Sequence, residues 1–145
     1  MSAHPLVNYP VRWLVITLAA LLSTPVAAFD VASCFNDSDS RGYIGIWAYE
    51  RVTDWKAARA RVEVTPTFVF SFMPGRDTYE VSDLKYCFFM PTPKTGDLVR
   101  CKSGSLRLSH VDVPRAVAGD YRFTLMNGEV KSLVFNASYC PPTKP

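Results

Sequence analysis

Over much of this chain apolar and polar side chains alternate at period two, the spacing of a half-buried strand. From Tyr43 to Val52 the residues are aromatic and β-favouring, with Ile44, Ile46, Trp47 and Tyr49 among them. Val62 and Val64 alternate with Arg61, Glu63 and Thr65, and beyond Pro66 the set Phe68, Phe70 and Phe72 continues, so two strand segments bent at a proline are expected. Pro74 and Gly75 mark a turn, after which Tyr86 to Met90 reads as another aromatic strand. The chain then turns over Pro91 to Asp97 and gives two further short strands, Leu98 to Cys101 and Ser105 to Val113.

The last third carries the sharpest local pattern. Tyr121, Phe123 and Leu125 run inward and meet Asn127-Gly128, a pair suited to the positive backbone angles of a tight hairpin, and Val130 to Tyr139 returns as the partner. A two-residue turn sets Leu125 opposite Val130 and Phe123 opposite Ser132, and sends Leu133 and Phe135 to the other face. Two stretches read differently. Phe29 to Gly42 is polar and turn-rich and is expected to be a loop fastened by Cys34, while Thr53 to Ala60 fits a short helix as well as a strand. Seven or eight short strands at even spacing predict an all-β fold with at most one short helix, built as a small antiparallel sandwich or barrel.

The first 28 residues change the picture of where the chain works. Arg12 precedes an apolar run from Trp13 to Leu22, Ser23, Thr24 and Pro25 interrupt it, and Val26, Ala27 and Ala28 supply small residues before a cut, the pattern of an export signal removed after Ala28. Trp13 to Ala28 spans 16 residues, short of the ~20 that cross a hydrocarbon core, so no stable membrane span is expected. Cutting the 145-residue chain after Ala28 leaves 117 residues, enough for one domain and too few for two. The short leader and the Ala, Arg and Pro content fit a bacterial exported chain, secreted or periplasmic.

All four cysteines, Cys34, Cys87, Cys101 and Cys140, follow the leader, and an even count in an exported chain predicts disulfides. Of the three pairings, Cys87 with Cys101 closes one hairpin and Cys34 with Cys140 ties the chain ends, and this arrangement is the expected one. Zinc would call for close C-x-x-C pairs, which are absent.

Charge and chemistry narrow the function classes. Once Arg12 leaves, 15 basic residues face 13 acidic ones, a balance that does not point to nucleic acid. Only His110 remains after the leader, and its neighbour Ser109 points to the opposite face of a strand, so Ser109, His110 and Asp112 do not form a nucleophilic triad. Asn36 to Ser40 offers oxygen ligands but lacks the glycine and glutamate of a calcium loop. Glu50, Glu63, Glu80 and Glu129 show no pairing that marks a glycosidase. No catalytic residue, metal or cofactor is therefore assigned. What remains is surface: Trp47, Tyr49, Trp55 and Tyr79, with Tyr86 and Phe89, are candidates for a recognition patch, and Arg100, Lys102 and Arg107 for a basic one. The reading that follows is an exported non-enzymatic binding protein, with an inhibitor or immunity-type protein as a special case, whose partner is another protein or an envelope component. A small envelope-polymer hydrolase using carboxylates, or a barrel carrying an apolar ligand on Phe68, Phe70 or Phe123, is the alternative.

Overall fold

A computed structural model describes residues 31–37 and 41–142. The leader, Ser38 to Ser40 and the last three residues lie outside the described residues, and with them the expected cut after Ala28. Eight strands, β1 (Val31–Asp37), β2 (Ile44–Glu50), β3 (Thr67–Phe72), β4 (Thr78–Glu80), β5 (Tyr86–Met90), β6 (Val99–Asp112), β7 (Ala116–Leu125) and β8 (Val130–Tyr139), are joined by turns and one short helix, α1 (Trp55–Ala60). Seven of them close a barrel in the order β1, β2, β3, β5, β6, β7, β8, and β4 adds to the side of β6. The fold is all-β as the alternation predicts, and of the two architectures it is the barrel.

Each neighbour round the ring is antiparallel except at the seam, where β1 meets β8 in parallel over Cys34↔Ser138 and Phe35↔Tyr139. An odd number of alternating strands returns pointing the way it began, so the closing pair has to be parallel. The seam is the shortest ladder in the ring together with that of β5 and β6, and the Cys34–Cys140 disulfide lies on it, with Cα atoms 5.6 Å apart. Cys87–Cys101 joins β5 to β6, so both expected bridges form and every cysteine is used.

The interior is filled by aromatic rings. Phe68, Phe70, Tyr121, Phe123 and Phe135 pack with ring centroids 5.0 to 6.1 Å apart, and Phe72 continues the stack towards Tyr79. Such pairs add to the free energy of area burial because ring edges meet ring faces.

Four expectations are corrected. The stretch read as a loop is the strand β1: Phe35 enters the core while Ala32, Cys34 and Asn36 pack on the outside, and the whole strand ladders with β2. Arg61 to Thr65 is not a strand. Asp54 caps α1 by accepting from the Lys56 N–H, and the chain runs on from the helix through turns in which Val64 and Thr65 both donate to the Arg61 carbonyl, leaving Val64 exposed. The alternation there has no partner strand to satisfy it.

Leu98 to Cys101 and Ser105 to Val113 are one strand, β6, bent by irregularities at Cys101/Ser103 and Leu108/His110. Last, the hairpin turn holds three residues. Leu125 donates to the Glu129 carbonyl, Gly128 takes a positive φ, and the Asn127 carboxamide accepts from the Glu129 N–H. The extra residue shifts the register by one, so Phe123 faces Lys131 rather than Ser132, and Leu133 and Phe135 turn inward with Tyr121.

Tyr121 yields a prediction. Burial, with the nearby Glu50 carboxylate adding to it, pushes its hydroxyl well above the ordinary phenol value. The unfolded chain releases that proton near pH ~10, whereas the folded chain keeps it. The stability this contributes is therefore complete below that pH and lost as pH rises beyond it. Phenolate absorbance and near-ultraviolet circular dichroism, followed together through alkaline pH, are expected to show Tyr121 ionising only as tertiary structure is lost. A Tyr121→Phe protein that unfolds at the same alkaline pH as the parent counts against this.

Candidate cleft on the outer face of the barrel

One half of the barrel's outer wall is apolar. Side chains alternate along each strand, and the ladder register aligns the outward ones in rows across β1, β2, β3 and β5: Ala32, Tyr49 and Thr67; then Cys34, Trp47, Val69 and Phe88; then Asn36, Gly45, Ser71 and Tyr86. Helix α1 and the chain after Cys140 lie over part of this face. Ala58 packs with Cys34, Tyr49 and Cys140, and Trp55 and Val62 close in around them. Arg59 donates to the Pro141 carbonyl and Trp55 Nε1 to Ser138 Oγ at 2.9 Å, so the helix is tied to the end of the chain.

Between this cover and the sheet is a cleft of about 360 Å³. Its apolar surface comes from Trp47, Tyr86, Val62 and Pro142, and its polar groups are those of Asn36, Asp37, Tyr49 and Arg59. Several of the polar groups are poorly served. Trp47 Nε1 is buried with no hydrogen-bond partner among the described residues. Asn36 is 7% exposed and Tyr49 1%, and neither side chain hydrogen-bonds to a described residue. Native interiors seldom leave a group such as Trp47 Nε1 unpaired, because it forfeits its hydration. Burial holds the Tyr49 hydroxyl above the ordinary phenol value against the pull of Arg59, so it stays protonated near neutrality.

No family model, curated protein or solved structure matches this chain.

Of the residues singled out by sequence, the cleft brings together Trp47, Tyr49 and Tyr86, whereas Trp55 lines a separate pocket with Ala32, Val134 and Ser138. Tyr79 is elsewhere and inside: it is 1% exposed, and its hydroxyl donates to the Met73 carbonyl. Phe89 faces the interior beneath the Lys131 ammonium. Arg100, Lys102 and Arg107 lie exposed on β6, and Arg107 is paired with Asp120 at 2.9 Å. His110 and Ser109 are both exposed on the same strand beside its bulge. Among the described residues no group of three or more His, Cys, Asp or Glu comes together to hold a metal ion.

Two carboxylates do meet. Lys131 Nζ donates to Glu50 at 2.7 Å and to Glu129 at 3.1 Å, above the Phe89 ring. Lys131 offsets one of the two negative charges, and none of the three residues lines the cleft. Sequence reasoning missed Asn36, Asp37, Arg59, Val62 and Pro142 as cleft residues. The alternation of Ala32, Cys34 and Asn36 was the available sign for the first of these.

Proposed function

We propose that this protein is an exported, non-enzymatic binding protein of the bacterial periplasm or extracellular space, and that the outer-face cleft is its recognition site. The observation that carries this reading is the buried Trp47 Nε1, without a partner among the described residues, in a half-apolar cleft that the polar side chains of Asn36 and Tyr49 also line. A concave site with a few convergent polar groups is the usual form of a ligand site. Two disulfides that use every cysteine fit an oxidising compartment. No helix among the described residues is long and apolar enough to cross a membrane. A barrel braced in this way loses little conformational entropy on binding, which also suits an inhibitor or immunity-type protein.

Two alternatives draw less support. Hydrolysis of a glycan by paired carboxylates needs two of them flanking one site, and among the described residues Asp37 is the one that lines the cleft. Carriage of an apolar ligand inside the barrel needs space where Phe68, Phe70 and Phe123 already pack against one another.

The test is retention from envelope extract on the immobilised, processed protein at low salt with crosslinking. The parent and an Arg122→Glu protein, altered on the exposed polar wall, are expected to retain the same component, and Val62→Trp, which crowds the cleft, to lose it. Retention by none of them, or equal retention by Val62→Trp, would falsify the proposal.

A further inference from the structure

The chemistry of the cleft narrows what it takes. We infer that its ligand is a ring sugar, a mono- or disaccharide unit of an envelope glycan, an inference that rests on the cleft being the recognition site. The donors are Trp47 Nε1, the Arg59 guanidinium and the Tyr49 hydroxyl; Asp37 only accepts; the Asn36 carboxamide does both. An apolar ligand would leave Trp47 Nε1 unpaired and strip water from the Asn36, Asp37 and Tyr49 side chains. A simple anion would gain Arg59 and Trp47 but meet the Asp37 carboxylate, and a simple cation would meet the reverse.

Vicinal hydroxyls, each able to donate and accept, answer the whole set at once. The C–H faces of a pyranose complete the match, because Trp47 and Tyr86 line the cleft with aromatic rings. A volume of about 360 Å³ sits at the small end of ligand clefts and suits a short saccharide unit rather than a long polymer section.

An extended peptide fits less well. Peptides that dock on sheets add a strand at a free edge, and the two central strands beneath the cleft have none: β2 is laddered to β1 and β3, and β3 to β2 and β5. A peptide lying over β2 and β3 would have to bind by side chains alone.

The experiment uses the processed protein on an array of immobilised mono- and disaccharides, including N-acetylated hexosamines. It is followed by fluorescence titration in a Trp55→Phe background, where Trp47 is the tryptophan left in the processed chain. Saturable quenching or shift of Trp47 emission by a saccharide is expected. Asn36→Ala and Trp47→Phe, the latter read by array retention and calorimetry, are each expected to weaken binding about tenfold with unchanged urea midpoints. If a saccharide binds but both variants bind it as tightly as the parent, the inference is overturned. If the array retains nothing while a protein from envelope extract binds in a Val62-sensitive manner, the sugar class is wrong and the cleft reading survives. Silence in both experiments overturns the two together.

Discussion

Replacing Cys34 and Cys140 together by alanine is expected to cost the folded domain about 4–5 kcal/mol. The bridge spans 106 residues of sequence, and in the chain-entropy view a loop of that size restrains the unfolded chain by ~4.7 kcal/mol. Its position adds to the effect. It lies at the parallel seam, where two register pairs join β1 to β8 and Cys140 donates its N–H to the Phe35 carbonyl. Both cysteines are fully buried, so alanine also removes packing beneath α1. The Cys87–Cys101 bridge spans 14 residues, which corresponds to ~3 kcal/mol in the same view, and since β5 and β6 also share two register pairs, the size of the closed loop is what separates the two bridges. Urea unfolding of the two double-alanine proteins checks the order: the seam variant is expected to have the lower midpoint by a clear margin. Equal midpoints, or the reverse order, would show that the seam does not depend on its disulfide.

Gly104→Ala is expected to destabilise by about 2–6 kcal/mol, from ~1–3 kcal/mol of backbone strain and ~1–3 kcal/mol of overpacking. Gly104 sits on β6 with φ +119°, and a Cβ there would stand 2.1 Å from the Arg122 carbonyl oxygen and 2.8 Å from Phe123 Cα. Those are backbone atoms of β7, in the ladder that closes one side of the barrel, and they cannot retreat without parting it. Gly128→Ala is the control. Its φ is also positive, at +87°, but a Cβ there meets nothing within 4 Å, so about 1 kcal/mol of left-handed strain is all that is expected. Thermal unfolding of the two variants separates close approach from conformational strain. If they lose similar stability, contact between β6 and β7 is not what selects glycine at position 104.

Much of the barrel was legible before any coordinates. Phe68, Phe70 and Phe72, like Tyr121, Phe123 and Leu125, place aromatic and aliphatic side chains at every second position, and a sheet is the element that buries all of them on one face. β1 was hidden because its outward residues, Ala32, Cys34 and Asn36, are small or polar. Their burial comes from α1 and the end of the chain, not from their own hydrophobicity. Arg61 to Thr65 misled for the opposite reason, since it has a strand's pattern and no neighbour to pair with. The hairpin register turned on one residue in the turn, which local preference for Asn-Gly does not settle. Of the cleft, Trp47, Tyr49 and Tyr86 were visible as aromatic positions on strands, whereas Asn36, Arg59 and Pro142 meet them from separate parts of the chain.

By itself, then, the sequence determined an all-β chain with at most one short helix, because alternation is a local property, and it favoured one of three cysteine pairings, the one the structure forms. The tertiary structure alone decided that the sheet closes into a seven-stranded barrel with a parallel seam, and that Trp47 Nε1 is left without a partner among the described residues in the cleft beside α1. Closure depends on how many strands enter the ring and in which direction each one runs. Hydrogen-bond satisfaction depends on which side chains the closed ring brings within reach of one another, and neither is written into any single segment.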